Sequence, residues 1–440
     1  MPTPSPSPAA PLVTELGGVL LRTEPLHEGL VRLLKRAPWL LPAVLGWRLR
    51  GRAVCRAEVA RRVELDVARL PYDEAVLSQL TEHRAAGRRL VLATRTDRRV
   101  ADAVAAHLGL FDTVLASEGP EELTGEVREA RLREALGPGY EEVRAGTGAS
   151  RVRALLQAMR PHQWAKNVLV LVPLFAAHKA LDASLLMRAV MGMVAFSLCA
   201  SSVYVLNDLL DLDSDRQHPS KRRRPFASGA LPLGLGPWLG LGLLGAGAAV
   251  ALLLPAEFLA LLGSYYLITL AYSLRLKQVM MLDVLVLAGL YTVRIFGGSL
   301  AVGVPTSSWL FTFSMFLFLS LALVKRLSEV RRLRLSQEVA APGRGYVAGD
   351  YEQLATIGVA SGYLSVLVLA LYITSREVTA LYAHPERLWL LCPVMLYWVG
   401  RVWLLAHRGE VNEDPLVFAL KDKTSYGVGV LAACVVLAAS

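Results

Sequence analysis

Asn207-Asp208-Leu209-Leu210-Asp211-Leu212-Asp213-Ser214-Asp215 closes an apolar segment that begins near residue 186. It sets four aspartates where a membrane helix would meet water, and that junction decides how the rest of the chain is read. On a helix, Asn207, Asp211 and Asp215 recur every four residues and drift only about 40° per step, so their side chains line one face and can share a divalent ion. Carboxylate oxygens so placed suit Mg²⁺, which is usually held by one or two carboxylates plus substrate phosphates. Asp213 faces away from that stripe. The plain alternative is a solvated acidic cap, or acids paired with the basic run Lys221, Arg222, Arg223, Arg224. Four aspartates beside a bilayer are costly without a use, which favours a metal-diphosphate site.

Working outward, the 440 residues are 54% hydrophobic with a mean hydropathy of +0.42, and the apolar excess is uneven. Residues 1 to about 160 are charge-rich, whereas from Asn167 onward apolar stretches of roughly 17 to 24 residues repeat, each long enough to cross a hydrocarbon core. This predicts a soluble domain fused to a multi-pass, all-α membrane domain. Spans are expected near 167–181, 186–206, 231–254, 257–274, 281–303, 307–324, 355–374, 387–406 and 427–439, about nine in all, the first and last short.

Formal net charge is +10, but the Lys and Arg fall mainly in loops between apolar segments, so a nucleic-acid partner is not expected. Arg216, Lys221–Arg224, Arg275, Lys277, Lys325, Arg326, Arg331, Arg332, Arg334, Arg344, Arg408, Lys421 and Lys423 fall in alternate loops. The other loops carry little beyond Lys179, Arg376 and Arg387. The positive-inside rule then puts the amino terminus and the acidic run on the cytoplasmic side of an inner or plasma membrane, with the carboxyl terminus outside. Cys55, Cys199, Cys392 and Cys434 show no metal spacing and predict no disulfide framework. Met1 to Pro11 lacks the basic and apolar regions of a signal peptide, so residues 1–12 are expected to be a disordered tail.

Between residues 13 and 150, Val13–Leu21, Arg89–Thr94 and Thr113–Ala116 are expected to be short buried strands, separated by helices over Asp73–Ala86 and Arg98–Leu108. That alternation predicts a parallel α/β sheet. Trp39–Trp47 is apolar, flanked by Lys35, Arg36, Arg48, Arg50 and Arg52, but holds Pro38 and Pro42 and is too short to span. It is expected on the membrane surface or in a small cap.

The acidic motif combines with Arg160-Pro161-His162-Gln163-Trp164-Ala165-Lys166-Asn167, His218-Pro219-Ser220-Lys221-Arg222 and Arg224-Pro225-Phe226-Ala227-Ser228-Gly229. In this order, ahead of further spans, about residues 155–440 of a membrane domain expected over 151–440 resemble the UbiA prenyltransferase superfamily, and within it decaprenyl-phosphate phosphoribosyltransferases. The resemblance implies a Mg²⁺ cofactor held by Asn207, Asp211 and Asp215 with Asp208, and a diphosphate gripped by Tyr272 and Lys277. Lys277 also reads as an ordinary positive-inside lysine. Asp211, Asp215 and Lys277 are then the candidate catalytic residues, and Lys221 and Arg222 candidate substrate contacts.

The third inner loop departs from the pattern. Prenyltransferases that use allylic diphosphates usually carry a second Asp-rich motif there, and this chain has Lys325-Arg326-Leu327-Ser328-Glu329. Exchanging acids for cations removes a metal site and creates an anion site, which suits a phosphorylated sugar diphosphate donor and a polyprenyl phosphate acceptor. A basic flank at a helix end is the alternative. Arg160 and Lys166 sit where they could hold the lipid head group or simply anchor at the interface. Arg294, eleven residues after Asp283 on one helix, is either functional or a hydrogen bond to a neighbouring helix.

The segment before residue 150 resembles a haloacid-dehalogenase-like (HAD-like) phosphatase without its nucleophile. Glu15-Leu16-Gly17-Gly18-Val19-Leu20-Leu21 stands where that family presents two aspartates, Leu92-Ala93-Thr94 keeps the strand-end threonine, and Gly146-Thr147 replaces a late Gly-Asp. An inactive domain with shortened final strands is expected, serving as scaffold, membrane-docking surface or regulator. Three functions compete: phosphoribosyl transfer to a polyprenyl phosphate, prenyl transfer from an allylic diphosphate to an aromatic or lipid acceptor, and a non-enzymatic transporter or scaffold. The acids gather at one inner face and do not form a path across the bilayer, which disfavours the last.

Overall fold

The computed structural model describes residues 10–119, 122–137, 139–144, 150–305, 307–336, 345–411 and 415–440. Contacts divide the chain into two compact units that do not follow chain order. Met1–Met159 clusters with Tyr204–Leu241, and Arg160–Val203 clusters with Gly242–Ser440. The residues from the end of the acidic helix to Leu241 therefore pack with the N-terminal domain, whereas the sequence placed the division near residue 150.

In the first unit, β1 (Leu12–Thr14), β2 (Leu90–Asp97), β3 (Thr113–Ser117) and β4 (Glu141–Glu142) form a parallel sheet in the order β3-β2-β1-β4. Val13 stands opposite Val91, and Val91 opposite Thr113. The strand expected over Val13–Leu21 ends at Thr14, because Gly18 takes a positive φ of 82° and the chain folds back, Gly18 N–H donating to Leu21 C=O at 2.8 Å. The last strand is two residues long, in keeping with a shortened sheet; Gly146 and Thr147 lie outside the described residues. Helices α1 (Pro25–Arg36), α2 (Leu41–Leu49) and α3 (Arg52–Arg62) form a small cap around Leu33, Val44, Cys55 and Val59. The Trp39–Trp47 segment belongs to it as a 3₁₀ turn, Pro38–Leu40, leading into α2. Helices α4 (Glu74–Ala85), α5 (Arg98–Leu108) and α6 (Gly125–Leu136) complete the layers, with Asp73 and Asp97 accepting N-terminal amide hydrogen bonds of α4 and α5. A further helix, α7 (Arg151–Met159), ends the domain.

Among the described residues, seven helical segments are long and apolar enough to cross a membrane: Ala183–Leu210, Leu233–Ala251, Ala256–Leu274, Leu282–Val302, Ser308–Ser336, Ala348–Ile373 and Pro385–Arg408. The other two expected spans fall short, for different reasons. Pro161–Leu171 winds as a 3₁₀ helix before the short α8 (Val172–Ala176), since Pro161, Pro173 and the polar His162, Gln163, Lys166 and Asn167 disfavour a regular α-helical span. Lys423–Ala439 is α-helical and apolar but only 17 residues long.

The spans comprise α9 (Ala183–Leu210), followed by the short α10 (Leu212–Gln217), then α11 (Gly236–Ala251), α12 (Ala256–Leu274), α13 (Leu282–Val302), α14 (Ser308–Ser336) and α15 (Tyr351–Ile373). After α16 (Arg376–Leu381) come α17 (Leu391–Arg408), α18 (Pro415–Lys421) and α19 (Lys423–Ala439). Small residues let backbones approach within the membrane unit. A Cβ on Gly298 would lie 2.1 Å from the Val170 carbonyl oxygen, and one on Gly358 would meet the Trp403 ring at the same distance.

Candidate active site

The acidic motif keeps helical hydrogen bonding through the junction of α9 and α10. Asp211 N–H donates to Asn207 C=O and Asp215 N–H to Asp211 C=O, each at 2.8 Å, so the four-residue spacing of the stripe is real in the backbone. Asp208 and Asp215 are each only 2% exposed. The Nη1 of Arg224 donates to Asp208 Oδ1 at 3.2 Å and to Asp215 Oδ2 at 2.6 Å. One guanidinium nitrogen thus bridges two buried carboxylates, and the pairing with the basic run posed as an alternative is realised at Arg224. Lys221 and Arg222 lie exposed in a 3₁₀ turn, and Asn207 and Asp211 are half-buried.

This arrangement bears on Mg²⁺. No group of three or more His, Cys, Asp or Glu side chains capable of holding a metal is gathered among the described residues. Two hard carboxylates nevertheless converge on one cationic nitrogen. Two protein carboxylates completed by substrate oxygens is the usual way this ion is held, so the donor set fits it.

In the membrane unit the structure brings together three other predicted residues, Tyr272, Arg326 and Glu329. Arg326 is fully buried; its Nη2 donates to Tyr272 Oη at 3.1 Å, its Nη1 to Glu329, and its Nε contacts Asp283. Tyr346 Oη donates to Asp283 and accepts the Met281 amide at 3.0 Å. The partners of Arg326 give it a structural task as well. A guanidinium enclosed by two carboxylates has its charge neutralised internally and ties α12, α13 and α14 together. Tyr346 escaped sequence reasoning, and the one available signal was that Asp283, at the start of a span, needs a partner.

Lys325 lines a small cavity with Leu287, Tyr291, Phe318, Leu321, Ala322 and Pro415. Lys166 Nζ lies 5.7 Å from the centroid of the same Tyr291 ring. Arg294 Nε donates to Asn167 Oδ1 at 2.7 Å and Nη2 to Tyr265 Oη at 2.9 Å, so its hydrogen bonds reach the 3₁₀ segment and α12, as the structural alternative required. Lys277 is half-buried in the 3₁₀ turn Leu276–Gln278, and Arg160 caps the other 3₁₀ segment with a left-handed φ of 53°.

In the N-terminal domain, Glu15 Oε1 accepts from Thr94 Oγ1 at 2.7 Å and from the Arg95 amide at 3.2 Å. Burial raises the Glu15 carboxyl above its ordinary value, outweighing the lowering by those hydrogen bonds. At Gly17 an added Cβ would fall 2.7 Å from Glu24 Oε2, so a side chain there would have to displace the Glu24 carboxylate.

The UbiA prenyltransferase family profile matches residues 168–420. The chain belongs to this family. It is an integral membrane protein and a UbiA-type transferase, with a haloacid-dehalogenase-like N-terminal domain whose profile matches residues 22–171. It is 35% identical to an uncharacterized protein of Sinorhizobium fredii over 96% of this chain and 90% of that protein. It is 36% identical to the nodulation protein NoeC of Azorhizobium caulinodans over 61% and 87% of the respective chains. To the decaprenyl-phosphate phosphoribosyltransferase of Mycolicibacterium smegmatis it is 34% identical over 42% of this chain and 60% of that enzyme. A UbiA homolog from Archaeoglobus fulgidus, solved bound to DMAPP and Mg²⁺, shares the fold, with a TM-score of 0.50 and 16% identity over 64% of this chain and 96% of that one.

Proposed function

We propose that this UbiA-type transferase moves a phosphoribosyl group from phosphoribosyl pyrophosphate to a polyprenyl phosphate, releasing pyrophosphate. The observation that carries the reading is the pair of buried carboxylates, Asp208 and Asp215, converging on one cationic nitrogen. The basic third inner loop and the phosphoribosyltransferase relatives favour this donor over an allylic one. Asp208 and Asp215, with Asp211 and Asn207 on the same helical stretch, would hold Mg²⁺. When bound, the ion neutralises charge on the departing diphosphate.

Arg224, displaced from the acids, offers its fork to phosphate oxygens, a geometry a lysine could not supply. Tyr272 and Lys277 grip the diphosphate, and Arg326 with Glu329 fixes the Tyr272 hydroxyl by the hydrogen bond described above. Lys325, Lys166 and Arg160, with Lys221 and Arg222, provide cations for the acceptor head group and the sugar phosphate. An oxygen of the lipid phosphate forms the new bond to ribose C1 as the bond from C1 to the diphosphate oxygen breaks, its electron pair leaving with pyrophosphate. The attacking oxygen is already anionic, so no general base is required.

Prenyl transfer from an allylic diphosphate is the second reading. It is favoured by the internal neutralisation of Arg326, which leaves the third loop less cationic than its sequence. Incubating the purified protein with labelled phosphoribosyl pyrophosphate and polyprenyl phosphate, and separately with allylic diphosphates and aromatic or lipid acceptors, decides between them. Product in the first mixture is expected, and product only in the second overturns the proposal. We further propose that the acids and the N-terminal domain face the cytoplasm, and that this domain lacks phosphatase activity. Mg²⁺-dependent phosphatase turnover by the full chain, lost in Glu15→Gln, would refute the latter.

A further inference from the structure

Helix α1 of the N-terminal domain grips α10 through buried charges. Glu28 is fully buried and receives four donors: Thr23 Oγ1 at 2.7 Å, Arg32 Nη1 at 3.0 Å, and Arg216 through Nη2 at 2.6 Å and Nη1 at 3.0 Å. Arg32, itself 6% exposed, extends its Nη2 to Asp213 Oδ1 at 2.6 Å. Arg216 adds a bond from Nε to the Ala227 carbonyl at 3.1 Å, tying in the loop that carries Arg224. Two guanidiniums on one saturated carboxylate form a bidentate, charge-assisted clamp in which each lost contact strands a buried charge.

The clamp takes hold of a particular side of the motif. At about 100° per residue, Asp213 lies roughly opposite the Asp211 and Asp215 stripe, and Arg216 about 100° round from Asp215. Asp213, which the four-residue spacing excludes from the metal face, is the acid that α1 holds. The loop after the acids packs on the same domain. Gly229 has a φ of 75°, and a Cβ there would lie 2.6 Å from Arg22 Cβ, while one on Gly234 would lie 2.7 Å from His27 Nε2.

We infer that the HAD-like domain positions the metal arm of the transferase, with Glu28 and Arg32 as positioning residues that hold α10 by Arg216 and Asp213 and so set the carboxylates of Asp211 and Asp215. This inference rests on the reading of those acids as the Mg²⁺-diphosphate arm. It gives a domain without a phosphatase nucleophile a task in the transferase reaction.

The test uses the full chain in nanodiscs and two readouts: binding of Mn²⁺ with pyrophosphate by electron paramagnetic resonance, and amide hydrogen exchange across residues 207–217. Glu28→Gln and the milder Asp213→Asn are expected to weaken Mn²⁺ binding about 10- to 100-fold, as loss of an outer partner of a metal ligand does, and to speed exchange in α10. The KM for the lipid phosphate should move less than the Mn²⁺ affinity. Unchanged exchange and unchanged Mn²⁺ affinity in both Glu28→Gln and Asp213→Asn would overturn the inference. Wild-type protein that binds no Mn²⁺, while Glu28→Gln still loosens α10, would refute the metal reading and leave the clamp standing. Should Glu28→Gln fail to fold, Asp213→Asn alone decides, because Asp213 is 42% exposed at its side chain and its loss removes one bond.

Discussion

Arg224 and Arg326 each bridge two carboxylates, and the difference between them separates a site from a strut. Arg224 sits on a loop with its side chain 27% exposed, holding Asp208 and Asp215. Arg326 lies within a long helix, 1% exposed at the side chain, between Asp283 and Glu329 and with Tyr272 on its remaining nitrogen. A partly exposed guanidinium on a loop can withdraw to water and leave its acids to another cation. A buried one on a helix cannot leave without stranding two charges, so its ion pairs are permanent.

The contrast breaks most visibly at the strut. Arg326→Met should destabilise the protein by about 3–5 kcal/mol, the usual result of removing one partner from a buried ionic cluster, measured as loss of thermal stability in nanodiscs. A variant as stable as wild type would show that Arg326 is no strut. Next comes the acidic pair. Asp208→Asn with Asp215→Asn should reduce transfer by on the order of 100-fold or more, since metal stabilisation of a leaving group is worth several kcal/mol. Retained turnover would remove these acids from the reaction.

Arg224→Gln sharpens the comparison at the other arginine. Losing a displaceable counter-ion should lower the Mg²⁺ concentration for half-maximal activity while raising the donor KM about tenfold, since a hydrogen bond to a charged group is worth about 1.5–3 kcal/mol. A large loss of thermal stability in its place would make Arg224 a second strut. The smallest effect belongs to Glu15, a carboxylate held by neutral donors. Its folded value is raised, so as pH climbs through its ordinary value of 4.5 the unfolded chain releases the proton first and stability falls. Glu15→Gln keeps an acceptor for Thr94 and Arg95 without that titration. Its melting temperature should gain on wild type as pH rises through the ordinary carboxyl range, and parallel melting curves would show that folding does not raise the Glu15 carboxyl.

The acidic stripe was legible in the sequence because a helix fixes angular spacing whatever surrounds it. The α5 span was legible too: the helix expected over Arg98–Leu108 forms, with Asp97 as its cap and Gly109, at a φ of 63°, as its stop. The ends of the membrane domain were less so. Hydropathy counts apolar residues and does not register that Pro161 and Pro173 bracket a stretch that winds as 3₁₀. The roles of the cations were read least well. Lys325 and Arg326 look alike in a string, yet one lines a cavity and the other is sealed between carboxylates that arrive from 43 residues before and three after.

By itself the sequence determined an α/β domain joined to a multi-pass membrane domain, and an acidic face with metal-ligand spacing, because composition and helical periodicity are local properties. Tertiary structure decided which charges are neutralised and which element holds the acidic helix. Glu28 and Arg216 are 188 residues apart, Arg32 and Asp213 181, and no local pattern encodes a pairing that exists only once the chain has folded back on itself.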